Sequence, residues 1–161
     1  MRTRWIKVRP LTVAAQVYHM RASFPQFTAT TNRGNWVRWL GTLQPTAMSD
    51  RYSIEMAYKI PYRPEVRVLS PELRLHPKYS VLPHVFEGNR LCVHTADEWN
   101  GQSIIAHTIV PWVCAWLYFY EVWLATGLWL GEGAHAEFPQ HRSASNEIQP
   151  QCEAADWVIH T

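Results

Sequence analysis

Apolar and polar residues alternate over Arg51–Ile60 in the pattern that a half-buried β-strand requires. The apolar positions that share one face of this segment are Tyr52, Ile54, Met56, Tyr58 and Ile60. Trp36–Leu43 is rich in β-forming residues and ends shortly before Pro45, and Val66–Leu69 is a short third segment of the same kind. Because these segments follow one another closely, the pattern predicts an antiparallel meander.

The segment after Pro10, LTVAAQVYHMRASF, has the spacing of an N-terminal helix. Proline is favoured in the first turn of a helix, and Phe24 is pushed out of the helical region by Pro25. The residues predicted to share its buried face are Leu11, Ala14, Ala15 and Tyr18. A polar stretch, Thr28–Asn35, follows this helix and is not assigned to an element.

The most apolar segment of the chain is Ile109–Leu130, 22 residues with the single charge of Glu121. Its length would suffice for a membrane span. However, Glu121 would then lie near the middle of the bilayer, and the Trp and Tyr residues are spread along the segment instead of marking its two ends. We therefore expect a long helix buried in the core, with a membrane anchor as the alternative. Pro111 is expected to divide it into a first piece near Ser103–Val110 and a longer second piece.

Between the strands and this helix, Ser70–Arg90 loses its periodicity and is interrupted by prolines, so it is predicted to be an irregular loop. After Gly131 the chain turns polar, and residues 137–161 are expected to form a surface tail. The order of elements predicts a single α+β domain over residues 1–161, with its core at about residues 10–131.

Composition narrows the possible partners and cofactors. The chain has 161 residues and a formal net charge of only +2, whereas nucleic-acid-binding proteins usually concentrate basic residues on one face, so no nucleic-acid partner is expected. The three cysteines, Cys92, Cys114 and Cys152, cannot all pair and lack the short spacings of a zinc site. No metal or organic cofactor is expected. The cysteine usage and the absence of a signal-peptide pattern predict a reduced, cytoplasmic location.

Cys92 has the sequence context that most suggests chemistry. It follows a proline-broken loop, with His84 eight residues before it and His94 two residues after it. In an extended segment Cys92 and His94 would point to the same side, and a neighbouring imidazole could lower the thiol pKa, accept a proton or donate a hydrogen bond to an oxyanion. The alternative is that Cys92 is a small buried apolar residue. Cys114 is expected to be a core residue, and no role is assigned to Cys152.

The order of motifs resembles the ubiquitin-conjugating enzyme (UBC) fold over about residues 10–130. The matching motifs, in chain order, are the strand that begins at Trp36, the proline turn Ile60–Val66, Leu82-Pro83-His84, the turn Glu87-Gly88-Asn89, Cys92 and Trp99. The resemblance implies an N-terminal helix, an antiparallel four-stranded meander, an active-site loop carrying the cysteine and a long buried C-terminal helix. It also implies that Cys92 is the thioester-forming cysteine.

The fragment PWVCAWLYFYEVWLATGLWLGEG is similar to the aromatic final helix of stand-alone conjugating-enzyme-like proteins in bacterial antiphage operons, namely the short type II CBASS systems. This narrower resemblance implies a thioester between Cys92 and the C-terminus of a cGAS-like nucleotidyltransferase or of a ubiquitin-like protein. The acyl group would then pass to a lysine amine of an acceptor protein.

Two departures from the family pattern affect these expectations. His84 stands where the family has an asparagine that supports the loop and stabilises the oxyanion. We therefore expect His84 to donate a hydrogen bond to the thioester carbonyl, and His94 to tune the thiol or deprotonate the amine; the alternatives are that His84 only caps a turn and that His94 is solvated. Second, the two C-terminal helices of many eukaryotic members are expected to be absent or rebuilt. A catalytically inactive UBC-like binding module is the competing interpretation of the whole chain.

Overall fold

A computed structural model of the protein describes residues 9–95 and 97–131. The predicted tail at 137–161, including Cys152, lies outside these residues. Helix α1 spans Val13–Ser23 and is followed by strands β1 (Thr28–Asn32), β2 (Trp36–Leu43), β3 (Tyr52–Lys59), β4 (Glu65–Ser70), β5 (Val85–Phe86) and β6 (Arg90–Leu91), a 3₁₀ turn at Ile105–His107 and helix α2 (Ile109–Thr126). The predicted α+β class is confirmed.

The strands form one antiparallel sheet in the order β1-β2-β3-β4-β6-β5. Strands β2, β3 and β4 are the three strands that the sequence pattern predicted, and β1 completes the meander of four that the resemblance implies. The alternation over β3 is confirmed, because Tyr52, Ile54, Met56 and Tyr58 are all buried. Strand β1 was not assigned because all five of its residues are exposed, so it has no apolar face that would produce a pattern. Strands β5 and β6 lie at the end of the predicted loop and are too short to leave a periodicity.

The buried face predicted for α1 was wrong. Tyr18 is 70% exposed, and the buried residues of this helix are Val13, Gln16 and Met20. The cause is a polar residue in the core: the Gln16 side chain donates to the Ser103 carbonyl (2.8 Å) and accepts from the Ile105 backbone N–H (2.9 Å). Because both the NH₂ group and the oxygen of its amide are hydrogen-bonded, Gln16 is buried at little cost in free energy. Hydrophobic spacing alone therefore points to the wrong face of the helix.

Helix α2 provides much of the hydrophobic core. Its buried residues are Ile109, Val110, Val113, Cys114, Trp116, Leu117, Tyr120 and Trp123. The helical path is interrupted at Thr108 and not at Pro111. Pro111 lies in the first turn of α2, where a backbone N–H has no acceptor within the helix, so a proline is tolerated there. Among the described residues, one helical stretch, Ile105–Thr126, is long and apolar enough to cross a membrane by length and composition. The core helix of a globular protein meets the same criterion.

The single charge within α2 is held by three hydrogen bonds. The Glu121 carboxylate accepts from the Ser49 hydroxyl (2.6 Å), the Asp50 backbone N–H (3.1 Å) and the Tyr52 hydroxyl (2.9 Å). Burial raises the pKa of Tyr52, and its hydrogen bond to Glu121 raises it further. This carboxylate therefore joins α2 to the start of β3 and to the loop before it.

Candidate active site

Cys92 follows β6 directly and is placed by the sheet. The short hairpin of β5 and β6 turns at Gly88 and Asn89, which have positive φ angles of 74° and 56° that suit glycine and asparagine. Strand β6 pairs with β4 through Arg67 and Arg90. The thiol therefore sits at the end of an ordered strand, at the edge of the core.

Ion pairs on the outer face hold this hairpin against the sheet. Arg90 contacts Glu65 at 2.9 Å, and Arg67 bridges to Glu55 at 3.6 Å. The Arg67 side chain also donates to the Gly88 carbonyl at 3.3 Å. Because these side chains are partly exposed, their main effect is on the position of the hairpin and less on overall stability.

The backbone of His84 links Cys92 to helix α2. Its carbonyl accepts from the Cys92 backbone N–H (2.9 Å) and from the Trp116 indole N–H (3.1 Å). His84 has a φ of 51°, in the left-handed region that few residues other than glycine adopt. The two hydrogen bonds hold the residue in this conformation and fix the distance between its loop and Cys92.

The His84 side chain is enclosed. It is 7% exposed, and its ring stacks on Trp129 with centroids 4.7 Å apart and planes 28° from parallel. This stacking fixes the plane of the imidazole. The ring of His84 is therefore held in one orientation, in contrast to the side chain of a solvated turn residue, which would be mobile.

His84 and Cys92 line the same cavity, which has a volume of about 100 Å³. The remaining lining residues are Val93, Trp112, Ala115, Trp116, Phe119 and Trp129. Positions 112, 115, 116 and 119 are spaced as one face of α2, so the helix supplies an aromatic wall with one small residue, Ala115, in it. A cavity of this size accommodates a small aliphatic group next to the thiol.

The environment of Cys92 opposes ionisation. Its side chain is partly buried, and this burial raises the pKa of the thiol; the negative charge of Glu98 raises it further. At neutral pH Cys92 is therefore mainly a thiol and needs a proton acceptor to react. Among the described residues Cys92 is the free cysteine. Cys114 is fully buried in the core, as expected.

His94 is held beside the cavity and is not among its lining residues. Strand β6 ends at Leu91, so the extended alternation expected for Cys92 and His94 does not continue to residue 94. The His94 ring lies 6.4 Å from the ring of Trp99 and 5.8 Å from that of Trp112. Trp112 thus contacts His94 and also lines the cavity.

The protonation of His94 can be assigned from its hydrogen bond. Nδ1 lies 2.7 Å from the Thr95 carbonyl oxygen, which can only accept. Nδ1 therefore carries a proton, and Nε2 is the basic nitrogen of the neutral ring. His94 is accordingly held in a tautomer suited to accept a proton through Nε2.

Sequence reasoning missed the aromatic wall and Glu98. The wall left a signal, because Trp112, Trp116 and Phe119 repeat at helical spacing, but the segment was interpreted from its apolar composition as a core helix throughout. Glu98 left none, since a single exposed carboxylate in a loop has no pattern. Within the described ranges, no cluster of three or more His, Cys, Asp or Glu residues is arranged to hold a metal ion.

Comparison with known proteins identifies one matching family. A family model described as Type II CBASS E2 protein matches residues 16–136, which is more than half of the chain. The match includes α1 to α2 almost completely and contains His84, Cys92 and His94. No curated protein matches the chain.

Proposed function

The chain belongs to the Type II CBASS E2 family, which has a UBC-like conjugating role in antiphage defence, and on that premise we propose that Cys92 carries an acyl group as a thioester. The observation that supports this proposal is the position of Cys92, a free cysteine beside a cavity that it shares with an enclosed histidine. A cysteine that only packed in the core would not need this space.

The proposed reaction has two steps. In the first, the Cys92 thiol loses its proton to solvent, and the thiolate attacks the carbonyl carbon of an activated protein C-terminus, a thioester or acyl adenylate supplied by a partner. A C–S bond forms, the bond to the activating group breaks, and that group leaves as a thiolate or as AMP. In the second, an amine nitrogen attacks the same carbon, a C–N bond forms, the C–S bond breaks and sulfur leaves as the thiolate. The proton lost by the nitrogen passes to a base. Holding the two reactants together supplies much of the rate.

His84 is proposed to stabilise the oxyanion that forms on the carbonyl. Its ring lines the cavity and is fixed by Trp129, and an imidazole N–H can donate a hydrogen bond to a developing negative charge. His94 is proposed as the base that receives the amine proton, because its Nδ1 is already used and Nε2 remains basic.

The proposed acyl donor is the C-terminus of a cGAS-like nucleotidyltransferase or of a ubiquitin-like protein, and the proposed acceptor is a lysine-bearing protein. The reaction would take place in the cytoplasm, with no membrane or nucleic acid involved. A catalytically inactive binding module remains the competing proposal, and it predicts no reaction at Cys92.

The purified chain can be tested with a glycine-terminated peptide thioester of mercaptoethanesulfonate as a model donor. We expect a reductant-labile peptide adduct at Cys92, none in Cys92→Ala, and transfer to added lysine at least about tenfold faster than from the same peptide on glutathione. Equal rates from the protein and from glutathione would mean that the fold contributes nothing to transfer. The binding module would then be the better account.

A further inference from the structure

The segment that follows helix α2 turns back towards the cavity beside the thiol. It starts at Gly127, which ends α2 in a left-handed conformation with a φ of 77° and whose carbonyl accepts from the Tyr79 hydroxyl at 2.8 Å. Beyond this anchored turn, Leu128 and Leu130 are each 52% exposed, whereas Trp129 between them lines the cavity. Trp129 is therefore the residue of this segment that faces inward.

The Trp129 indole contacts both the loop of His84 and helix α2. It stacks on the His84 ring, and its ring centroid lies 5.6 Å from that of Trp116 and 6.0 Å from that of Phe119. The chain also covers it closely at Gly131, where an added Cβ would lie 2.8 Å from the indole nitrogen and 2.7 Å from the Phe119 ring. Trp129 therefore closes the space between the loop and the helix, and Gly131 permits this approach because it has no side chain.

The closed cavity offers little to a water molecule. A buried water needs about two to four polar partners. The Trp116 indole N–H is already bonded to the His84 carbonyl at 3.1 Å, and the Trp129 indole N–H is buried away from solvent. The aliphatic and phenyl side chains of the lining carry no polar atoms. Water is therefore disfavoured beside the Cys92 sulfur, whereas methylene groups are not.

This difference matters because a thioester at Cys92 can be lost in two ways. Attack by water forms a C–O bond, breaks the C–S bond and releases a carboxylic acid and the thiol; attack by an amine forms a C–N bond in its place. Both reactions develop an oxyanion on the same carbonyl, so the hydrogen bond proposed for His84 favours neither. The choice between them depends on which nucleophile reaches the carbonyl carbon.

We propose that Trp129 is the specificity-determining residue for the nucleophile: it closes the cavity against water, so that the Cys92 thioester reacts with an amine carried on an aliphatic chain. This inference rests on the proposed function. The methylene groups of a lysine side chain gain from contact with the apolar lining, and water does not. Trp129 thus sets the ratio of the aminolysis rate to the hydrolysis rate, here called the partition ratio.

The partition ratio is measured on the chain loaded at Cys92 with the peptide thioester. Mass spectrometry follows the free peptide formed in buffer alone and the isopeptide formed with Nα-acetyl-lysine at the same pH. A change in the oxyanion donor His84 alters both rates and cancels in the ratio. We expect the ratio to fall about tenfold in Trp129→Ala, because hydrolysis accelerates, and less than about threefold in Trp129→Phe, which keeps a ring against His84.

A second variant tests the same closure without altering any side chain that lines the cavity. The Cβ of Gly131→Ala displaces the ring of Trp129 or of Phe119, so the partition ratio should fall at least about threefold. Leu130→Ala changes an exposed residue of the same segment and is the matched control, with the partition ratio of the wild type. Unchanged melting temperatures keep the comparison free of folding effects.

The outcomes separate this role from the proposed function. A partition ratio in Trp129→Ala within twofold of wild type, including one in which both rates rise together, would overturn the role of Trp129 while leaving the thioester at Cys92 intact. If Trp129→Ala does not fold, the same criterion applied to Gly131→Ala decides. A wild-type chain that does not load at Cys92 would overturn the proposed function and the role of Trp129 with it.

Discussion

Helix α2 borders two polar regions that are built in opposite ways. Around Glu121, three donors fill the carboxylate and join the helix to the start of β3. Around Cys92, the same helix supplies carbon and indole surfaces, and a cavity of about 100 Å³ remains next to the thiol. A buried polar group whose hydrogen bonds are complete stabilises a fold. A thiol with space beside it can admit a reactant, so under the proposed function the first region is structural and the second is the reactive one.

Removing the nucleophile should give the largest effect on activity. Cys92→Ala is expected to abolish all acyl transfer, while the free energy of unfolding changes by only about 1 kcal/mol because the side chain is small and partly buried. Transfer is followed in the peptide thioester assay, and stability by urea unfolding. Transfer that persists in this variant would show that the region around Cys92 does not carry the reaction.

His84→Ala should slow transfer about a hundredfold, the usual cost of losing one oxyanion donor. The matched variant His84→Asn keeps a side-chain donor and a residue that tolerates the positive φ angle, so it should recover most of the rate. The single-turnover rate of the loaded protein is the quantity to compare. If alanine and asparagine behave alike, His84 only caps the turn.

The Glu121 region should respond in stability and not in chemistry. Glu121→Ala leaves the Tyr52 hydroxyl, the Ser49 hydroxyl and the Asp50 N–H without their acceptor, and we expect a loss of about 3 kcal/mol in the free energy of unfolding. Glu121→Gln retains one acceptor oxygen and should cost less. Transfer per folded molecule should match wild type, and a selective loss of transfer would contradict the division between the two regions.

Filling the cavity should have a smaller effect. Ala115→Leu places a larger side chain between Trp112 and Trp116, and we expect loading of the peptide thioester to fall about tenfold. Ala125→Leu, an exposed position on the same helix, serves as the control. Normal loading by a folded Ala115→Leu protein would show that the cavity plays no part in admitting the donor.

The smallest expected change is in the pH dependence of the thiol. Burial and Glu98 both raise the pKa of Cys92, so its alkylation by iodoacetamide should rise with pH to a midpoint above that of an ordinary cysteine. Glu98→Gln removes a negative charge that destabilises the thiolate, so this midpoint should move to lower pH. Asp97→Asn should leave it in place, and an identical shift in both variants would indicate a general charge effect.

The parts of the fold that could be predicted from the sequence are those in which one face is apolar throughout. Strand β3 alternates over its whole length, and α2 lies in a segment, Ile109–Leu130, that is apolar enough to be found by composition. The face of α1 was wrong because Gln16 lies in the core, and β1 was missed because both of its faces are exposed. In each case the determining contacts come from distant parts of the chain.

The candidate site divides in the same way. Resemblance to the UBC fold pointed to Cys92 and to the loop that carries His84, since motif order survives when individual residues change. The distance between them depends on the Trp129 stack and on the two hydrogen bonds to the His84 carbonyl, which no local pattern encodes. Glu98 could be found only after the loop was folded.

The central claim, that Cys92 becomes acylated, is tested most directly by the intact mass of the wild-type chain and of Cys92→Ser, each co-expressed with its operon neighbours and kept non-reducing. The account predicts a reductant-labile adduct on the wild type and a hydroxylamine- or base-labile ester on the serine variant, with a mass that identifies the donor. No adduct on either form, with the neighbours confirmed to be present, would contradict it.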